Sequence, residues 1–450
     1  MAANKRTETP PPAPNTDFLE SKWALRLLVF SPLPVICSFF LGFPTYLRTD
    51  QALAGMLFAS FLYLLMTRPG LRAIAWSIAV SASIYSLQEW LAKPITPFAQ
   101  PLAVVLGSYL GLGGLFVLAA RAIYLKGDAQ RKAARAFAGG WMFLVLWSLL
   151  GLALPLSNSM SPTTLDPLFF AIDHGYGLDA SFVLGTWMAA SPLWKLLTFV
   201  VYQLLPLAPV VAVGLDLIDP KAPFRVLQLL ISMAFTGFII YWVAPAVGPI
   251  HAFAANYPHH PPDISTLSLG PLAQLGSPRN CMPSLHFGSA LAVYWLLKHY
   301  GGWVRALALL FVSWTAFATL ALGEHYVIDL VVALPFVVTF LGLWVTGLGW
   351  KTPARYQSVL GGLALTVCWL VLLRTQAGVL TGSPAVLWGL TLVTVAGSLS
   401  LERRLQFAAS TCIRVMRSSV RSLSPAGEDS LSPLAAGTLP LDGEAPSRGF

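Results

Sequence analysis

The sequence predicts an all-α polytopic membrane protein with about twelve transmembrane helices, and its composition and its apolar runs carry that prediction. Hydrophobic residues make up 56% of the 450 residues and charged residues only 10%, whereas a soluble globular domain is about 25% charged. The apolar residues form runs of roughly 20, the length a helix needs to cross the hydrocarbon of a bilayer. The formal charge of +9 does not indicate nucleic-acid binding, because the basic residues lie in short loops and the C-terminal tail.

The N-terminal part begins with a polar, proline-rich lead, residues 1–21, which we expect to be disordered and cytoplasmic. Five Lys or Arg residues lie around the connection between the fourth and fifth apolar runs, and such enrichment is typical of a cytoplasmic loop. The acidic segment after Ser157 has no Lys or Arg before Lys195 and is therefore expected outside. The five apolar runs of this part are 23–43, 51–66, 72–92, 102–125 and 137–157.

The remaining apolar runs are joined by connections that alternate in charge. A basic connection with Lys298 and Arg305, for example, precedes one with Glu324. With both termini in the cytoplasm, about twelve spans satisfy every loop. The seven runs of this part are 193–217, 225–247, 283–299, 303–322, 325–349, 357–375 and 384–400.

His325 and Asp329 stand four residues apart at the start of a predicted helix, so their side chains share one face. The carboxylate can accept a hydrogen bond from one imidazole nitrogen and leave the other as a nucleophile or base. The same spacing is typical of a capped helix near the membrane interface. A carboxylate about one turn inside an apolar segment is costly, however, and therefore marks a candidate functional site.

His286 lies in the first turn of another predicted helix, which begins near Pro283 and Ser284. The Ser284 side chain and the backbone N–H groups of a helix start can bind an anion such as phosphate. Taken alone, this pattern more often marks an ordinary proline-initiated helix with a surface histidine. The helices of His286 and His325 flank one intervening helix, so the topology brings both histidines to the same, extracytoplasmic face.

The paired stretches PSLH at 283–286 and HYVID at 325–329 resemble the motifs of the type 2 phosphatidic acid phosphatase (PAP2) superfamily. The resemblance covers roughly residues 165–336 and is strongest to the inositol phosphorylceramide synthase, or aureobasidin-resistance, branch. It implies a six-helix core and a metal-independent site without a cofactor. It also implies that His325 attacks phosphorus to give a phosphohistidine, that Asp329 orients His325, and that His286 protonates the leaving alkoxide.

The sequence departs from the phosphatase pattern in the cations that would hold phosphate. Ala318-Thr319 replaces the Ser-Arg pair expected before the second histidine, and no Lys-x6-Arg-Pro motif occurs upstream. The synthase-like branch also tolerates both absences. Arg279 is the remaining cation close to His286 in the sequence, and it is either a phosphate clamp, for which a guanidinium is well suited, or a solvated loop charge.

Further residues complete the predicted site around the catalytic His286, His325 and Asp329. Gly248 is expected to shape the pocket floor. Asp173, like Asp166, either lines the site or engages a polyol headgroup, or it is a helix cap or a solvated charge. No metal site is predicted, because His259 and His260 lack ligand spacing and the cysteines lie far apart and act as small hydrophobic residues. The predicted substrate-binding residues are Arg279, Ser284, Gly248 and Asp173.

The predicted function is that of a lipid phosphatase or phosphotransferase whose site is fed with phospholipid or sphingolipid from the bilayer, in the cell membrane if the protein is bacterial. Hydrolysis and transfer to an alcohol both stay open. So do two other classes, a lipid transporter or flippase and a catalytically inactive membrane scaffold. The chain divides into a lead (1–21), N-terminal transmembrane helices (22–136), a PAP2-like core (137–350), C-terminal transmembrane helices (351–400) and a basic, then disordered tail (401–450).

Overall fold

The computed structural model describes residues 50–92, 102–205, 207–218, 223–273, 276–298 and 300–423. The predicted lead at 1–21, the predicted helix 23–43 and the tail from residue 424 lie outside the described residues. The elements in chain order are α1 (Asp50–Thr67), α2 (Leu71–Ala92), α3 (Leu102–Tyr124), α4 (Gly127–Met160), β1 (Thr163–Thr164), α5 (Asp166–Gly175), α6 (Ala180–Ala189), α7 (Pro192–Leu204), α8 (Leu207–Ile218), α9 (Val226–Val243), α10 (Pro249–Ala252), β2 (Leu272–Ala273), α11 (Leu285–Leu297), α12 (Gly302–Ala321), α13 (Val327–Trp344), α14 (Pro353–Thr375), α15 (Ala377–Gly382) and α16 (Pro384–Leu423).

Each predicted apolar run within the described residues contains a helix, but not every helix is long enough to cross a membrane. By length and composition, six described helices qualify, and α6 with α7 would give a seventh if that bent pair is one span. Several apolar helices of this kind indicate an integral membrane protein. Twelve spans and a six-helix core stay predictions. The six qualifying helices are α3, α9, α12, α13, α14 and α16.

The acidic segment after Ser157 is more regular than the sequence pattern indicated, because it holds α5 and α6. The next helix, α7, begins at Pro192, and Ser191 caps it by accepting a hydrogen bond from the Trp194 N–H at 3.5 Å. Proline at the first helical position needs no donor partner and starts a new helix. The chain therefore turns at this point, and α6 and α7 are bent by 119°.

The centre of the molecule is α13, which packs against α9, α11, α14 and α16. Within α13, 78% of the residues are buried. A helix that is apolar all round is expected to be enclosed by other helices in this way. Because α13 begins at Val327, two residues after His325, the candidate site stands at the N-terminal end of the most enclosed of the six membrane-length helices among the described residues.

The C-terminal helices are tied to the rest of the molecule by buried polar contacts. Lys298, at the end of α11, donates a hydrogen bond to the Glu402 carboxylate of α16. Glu402 is 2% exposed. One turn further along α16, Gln406 donates to the Trp295 carbonyl oxygen at 3.0 Å. Since a buried charge is stable only when it is paired, these contacts fix α16 beside α11, the helix that carries His286.

A short antiparallel ribbon connects the loop after α4 to the loop after α10. Thr163 in β1 pairs with Ala273 in β2, and Thr164 pairs with Leu272. This ribbon holds the long loop after α10 against the end of α4. The segment that leads to Arg279 and His286 is therefore anchored at β2 by its pairing with β1.

Candidate active site

The two motif histidines meet at the N-terminal ends of α11 and α13. His286 Nδ1 lies 3.3 Å from His325 Nε2, and the two ring centroids are 5.7 Å apart. On the opposite side of its ring, His325 Nδ1 lies 3.4 Å from Asp329 Oδ2. His325 is 1% exposed and Asp329 0%. The structure thus brings the three predicted catalytic residues together as a chain, in which His325 and Asp329 are buried and His286 is partly exposed.

The backbone around His325 is held from two sides. The Thr319 carbonyl oxygen accepts hydrogen bonds from the N–H groups of Glu324 at 3.1 Å and His325 at 3.2 Å. The Ser181 hydroxyl of α6 donates to the His325 carbonyl oxygen at 2.9 Å. Thr319, which stands where the phosphatase pattern has arginine, therefore supports the histidine through its backbone.

Asp329 has two functions in the geometry of α13. Its Oδ2 atom accepts a hydrogen bond from the Tyr326 N–H at 2.8 Å, as part of a capping box at the start of the helix. The same carboxylate faces His325 Nδ1. The capping and catalytic interpretations of the His325–Asp329 spacing are therefore compatible, because one carboxylate can serve both.

Asp173 caps the same helix from α5. Its carboxylate accepts hydrogen bonds from the N–H groups of Val327 at 2.9 Å and Ile328 at 3.4 Å, two donors that the first turn of α13 leaves unpaired. Burial raises the pKa of Asp173 well above its usual value. These contacts make Asp173 a positioning group for the start of α13, and its predicted contact with substrate stays a prediction.

Asp166 and Gly248 join the loop after α9 to the loop that carries His325. Asp166 Oδ1 accepts from the N–H groups of Val247 at 3.1 Å and Gly248 at 2.9 Å, and from the Tyr326 hydroxyl at 2.9 Å. Gly248 has φ +87°, and a Cβ atom there would lie 2.6 Å from the Glu324 carbonyl oxygen. Only glycine allows this approach, whereas the predicted substrate contact of Gly248 stays a prediction.

Ser284 connects the two motifs directly. Its Oγ atom accepts a hydrogen bond from the Phe287 N–H at 3.2 Å as the N-cap of α11. Its backbone N–H lies 3.3 Å from the Asp329 carbonyl oxygen. A serine hydroxyl also carries one donor hydrogen, which a phosphate oxygen could accept. Substrate binding by Ser284 stays a prediction.

Arg279 is buried between loops, so the prediction of a solvated loop charge is wrong. The residue is 0% exposed, and its Nε donates to the Ser161 carbonyl oxygen at 2.8 Å. Its Nη1 donates to Asn158 Oδ1 at 3.0 Å and also to the Ser277 carbonyl oxygen. A phosphate clamp would require the guanidinium to exchange some of these partners, and that function stays a prediction.

Two residues near the histidines were not predicted as site residues. Tyr202, at the end of α7, places its hydroxyl 3.4 Å from His286 Nε2, and the two ring centroids are 4.9 Å apart. Cys281 is fully buried and donates from Sγ to the Glu324 carbonyl oxygen at 3.1 Å. A tyrosine in an apolar run and an isolated cysteine carry no sequence signal that distinguishes them from ordinary packing residues.

Burial controls the protonation of the groups around this site. Burial lowers the pKa of His325, in the loop before α13, to about 3, so the neutral imidazole is favoured at rest. Burial raises the pKa of Glu324 to about 7. Burial also raises the pKa of Asp166 to about 6, although hydrogen bonds from the Tyr326 hydroxyl and from the backbone N–H groups of Val247 and Gly248 act in the opposite direction. The carboxyl groups are therefore partly protonated near neutral pH.

The raised pKa of Asp166 predicts how stability depends on pH. Between about pH 4 and about pH 6 the folded protein keeps a proton on this carboxyl group that the unfolded chain has lost. The free energy of unfolding should therefore fall as the pH rises through this window, and the group should add no further change above it. Thermal unfolding of the purified protein in detergent measures this effect against Asp166→Asn, which cannot titrate. The melting temperature of the wild type minus that of the variant should decrease with rising pH, and an increase would contradict the prediction.

The segment from α5 to the end of α13 contains the contacts between the three predicted catalytic residues. Residues 168–345 match a family model described as the PAP2 superfamily. Comparisons with curated proteins and with solved structures gave no match. The matched segment includes His286, His325 and Asp329 and begins two residues after Asp166. It supports the predicted superfamily and a phosphatase or phosphotransferase type of activity.

Proposed function

We propose that this protein is a membrane-embedded lipid phosphotransferase that acts through a phosphohistidine at His325. One observation carries the proposal: His286, His325 and Asp329 form a chain of neighbouring side chains, with contacts of 3.3 Å and 3.4 Å, inside the segment that matches the PAP2 superfamily. The order of the groups is that of an acid or base, a nucleophile and an orienting carboxylate.

The first half of the reaction breaks the bond between phosphorus and the leaving oxygen of the lipid. Asp329 accepts the Nδ1–H of His325, which leaves the lone pair of Nε2 for attack on phosphorus. As the P–N bond forms and the P–O bond breaks, protonated His286 gives its proton to the leaving alkoxide. The negative phosphoryl group favours the protonated form of His286. The donor must enter between the two rings, because the nucleophilic nitrogen faces His286.

The second half regenerates the histidine. An acceptor hydroxyl attacks phosphorus, His286 takes its proton, and the bond between phosphorus and His325 breaks. Water as the acceptor gives hydrolysis, whereas an alcohol gives a new phospholipid. We favour transfer to an alcohol, as in inositol phosphorylceramide synthases, for two reasons. His325 is almost completely buried from water, and the cations of the phosphatase pattern are absent from the sequence.

The developing charge on phosphate needs donors near the two rings. The start of α11 offers the Ser284 hydroxyl hydrogen and the positive end of the helix dipole. The start of α13 is already capped by Asp173 and Asp329, so α11 is the better anion site of the two. Arg279, after exchanging partners, would add the guanidinium of a phosphate clamp, and Gly248 would form the pocket floor.

The charges of the connecting loops support a site on the extracytoplasmic face, with both termini in the cytoplasm. A phospholipid or sphingolipid donor would reach this site from the outer leaflet of the bilayer. A transporter would instead place its binding residues near the middle of the membrane. His286 and His325 lie at the N-terminal ends of their helical segments, which favours an enzyme.

Trapping of the covalent intermediate tests the proposal. The purified protein is exposed briefly to a phospholipid with a radioactive headgroup phosphate and is then denatured. We expect label on His325 that is stable to base and labile to acid, as for a phosphoramidate. His325→Ala should remove this label, whereas His259→Ala, a change at an exposed loop histidine, should keep it.

The acceptor is tested in the same experiment. Candidate alcohols added to the labelled protein should discharge the label into a new phospholipid faster than water discharges it as a phosphate ester or inorganic phosphate. Product formation without any labelled protein, under conditions that preserve a phosphoramidate, would contradict the covalent mechanism.

A further inference from the structure

His325 also belongs to a group of three side chains that could bind a metal ion. One donor atom from each of Cys281, His325 and Asp329 lies within 4.8 Å of the other two. All three residues are at most 1% exposed. Thiolate, imidazole and carboxylate are the three ligand types that zinc takes in proteins. These three side chains lie among the described residues, and together they supply ligand types that suit a divalent cation such as Zn²⁺.

Two buried polar atoms in this group lack a hydrogen-bond partner among the described residues. They are His325 Nδ1 and Asp329 Oδ1. His325 Nδ1 and Asp329 Oδ2 lie 3.4 Å apart, which is long for a hydrogen bond. Two ligands at about 2.0–2.2 Å from a tetrahedral zinc ion are themselves about 3.4 Å apart. The distance of 3.4 Å between His325 Nδ1 and Asp329 Oδ2 is therefore long for a hydrogen bond but suits two ligands of one zinc ion.

The surrounding charge also favours a cation. Burial raises the pKa of the Cys281 thiol, and the nearby carboxyl groups of Asp329, Asp166 and Glu324, where ionised, raise it further, so a bare thiolate is disfavoured here unless a positive ion accompanies it. A carbonyl oxygen, that of Glu324, already accepts from Cys281 Sγ at 3.1 Å. A positive ion in this position would be stabilised by several negative or partly negative oxygen atoms at short range.

We propose that Cys281, His325 and Asp329 bind one Zn²⁺ ion, and that the bound ion inhibits the phosphotransferase. Binding replaces the thiol proton of Cys281 by the metal and releases that proton to solvent. Zinc on His325 Nδ1 leaves the single N–H of the neutral imidazole on Nε2. The nitrogen that faces His286 then has no lone pair with which to attack phosphorus. The inhibition rests on the proposed function, whereas the metal site does not.

Spectroscopy of the full-length protein in detergent tests the site without any activity assay. Metal-free protein is titrated with Co²⁺, which reports tetrahedral coordination and thiolate ligation by visible and near-ultraviolet absorption. We expect one equivalent of Co²⁺ to give both bands and Zn²⁺ to displace it. Cys281→Ser should lose the thiolate band, whereas Cys368→Ser, a change at an exposed cysteine of α14, should keep it.

X-ray absorption of the zinc-loaded wild type identifies the zinc ligands without a variant, so the test does not depend on whether Cys281→Ser folds. We expect one sulfur ligand at about 2.3 Å and nitrogen or oxygen ligands at about 2.0–2.2 Å. A zinc shell that contains only nitrogen and oxygen would overturn the site. So would a thiolate band that Cys281→Ser retains.

Activity tests the second half of the proposal. One equivalent of Zn²⁺ should reduce phosphotransfer by the wild type at least tenfold, and a chelator should restore it. Binding without inhibition, or stimulation by zinc, would overturn the inhibition. If the metal-free protein shows no transfer and no phosphohistidine, the proposed function fails, and the spectra still decide whether the metal site exists.

Discussion

Replacing His325 by Ala is expected to reduce phosphotransfer by at least about a thousandfold, because the variant has no nucleophile to carry the phosphoryl group. His325 lies between His286 at 3.3 Å and Asp329 at 3.4 Å, so no neighbouring side chain can replace it without a large movement. The initial rate of transfer from a fluorescent phospholipid to an alcohol, measured in mixed micelles, gives the effect. The apparent affinity for the donor should change much less than the rate.

The control for this prediction is the removal of a histidine that makes no contact with the site. His259 is exposed in the loop after α10, and His259→Ala should retain nearly full activity. Free imidazole should restore part of the activity of His325→Ala, because the lost side chain leaves space beside phosphorus. Retention of more than a tenth of the wild-type rate by His325→Ala would show that another group attacks phosphorus.

Replacing Gly248 by Ala is expected to have the second largest effect, with a loss of about 3 kcal/mol in the free energy of unfolding. The new Cβ atom would lie 2.6 Å from the Glu324 carbonyl oxygen and 2.7 Å from that of Gly323. These are backbone atoms of the loop that carries His325, so relief requires this loop to move. A displacement of about 1 Å at the nucleophile can cost about a hundredfold in rate.

Gly177 provides a matched control, since its φ of +82° is nearly that of Gly248 but a Cβ atom there would meet nothing within 4 Å. Gly177→Ala should therefore show the cost of the left-handed backbone alone, about 1 kcal/mol, with little loss of activity. The two variants are compared by thermal unfolding in detergent and by initial rates. Equal effects of both substitutions would exclude the close approach of the two loops as the cause.

The positions of the helices could be predicted because apolar runs mark where a chain crosses lipid, but their true ends could not. The predicted helix 384–400 continues to Leu423 in the structure. Residues such as Glu402, Arg403 and Gln406 favour a helix although they are not apolar, so the run ends before the helix does. Ser191-Pro192 indicates from the sequence that a new helix starts there. The angle of 119° between α6 and α7 depends instead on the packing of both helices against α12.

The central part of the site could be predicted because each motif is short and its spacing has a direct geometric meaning. His325 and Asp329 share a face of one helix, and topology places His286 at the same end of the bundle. Arg279 and Tyr202 depend instead on partners far away in the sequence. Arg279 contacts Asn158, 121 residues earlier, and Tyr202 contacts His286, 84 residues later. No pattern within a single sequence indicates such pairs.

The carboxyl group of Asp166 has a consequence for how this enzyme could have been inherited. Asp166 lies just before the segment that matches the PAP2 superfamily, yet it holds the Val247–Gly248 turn against the loop that carries His325. Beyond the other end of the segment, α15 and α16 pack on α5, the helix that Asp166 begins. The unit that must be transmitted intact is therefore longer than the recognisable motif region. A recombination event that joined residues 168–345 to other helices would separate His325 from groups that hold its loop in place.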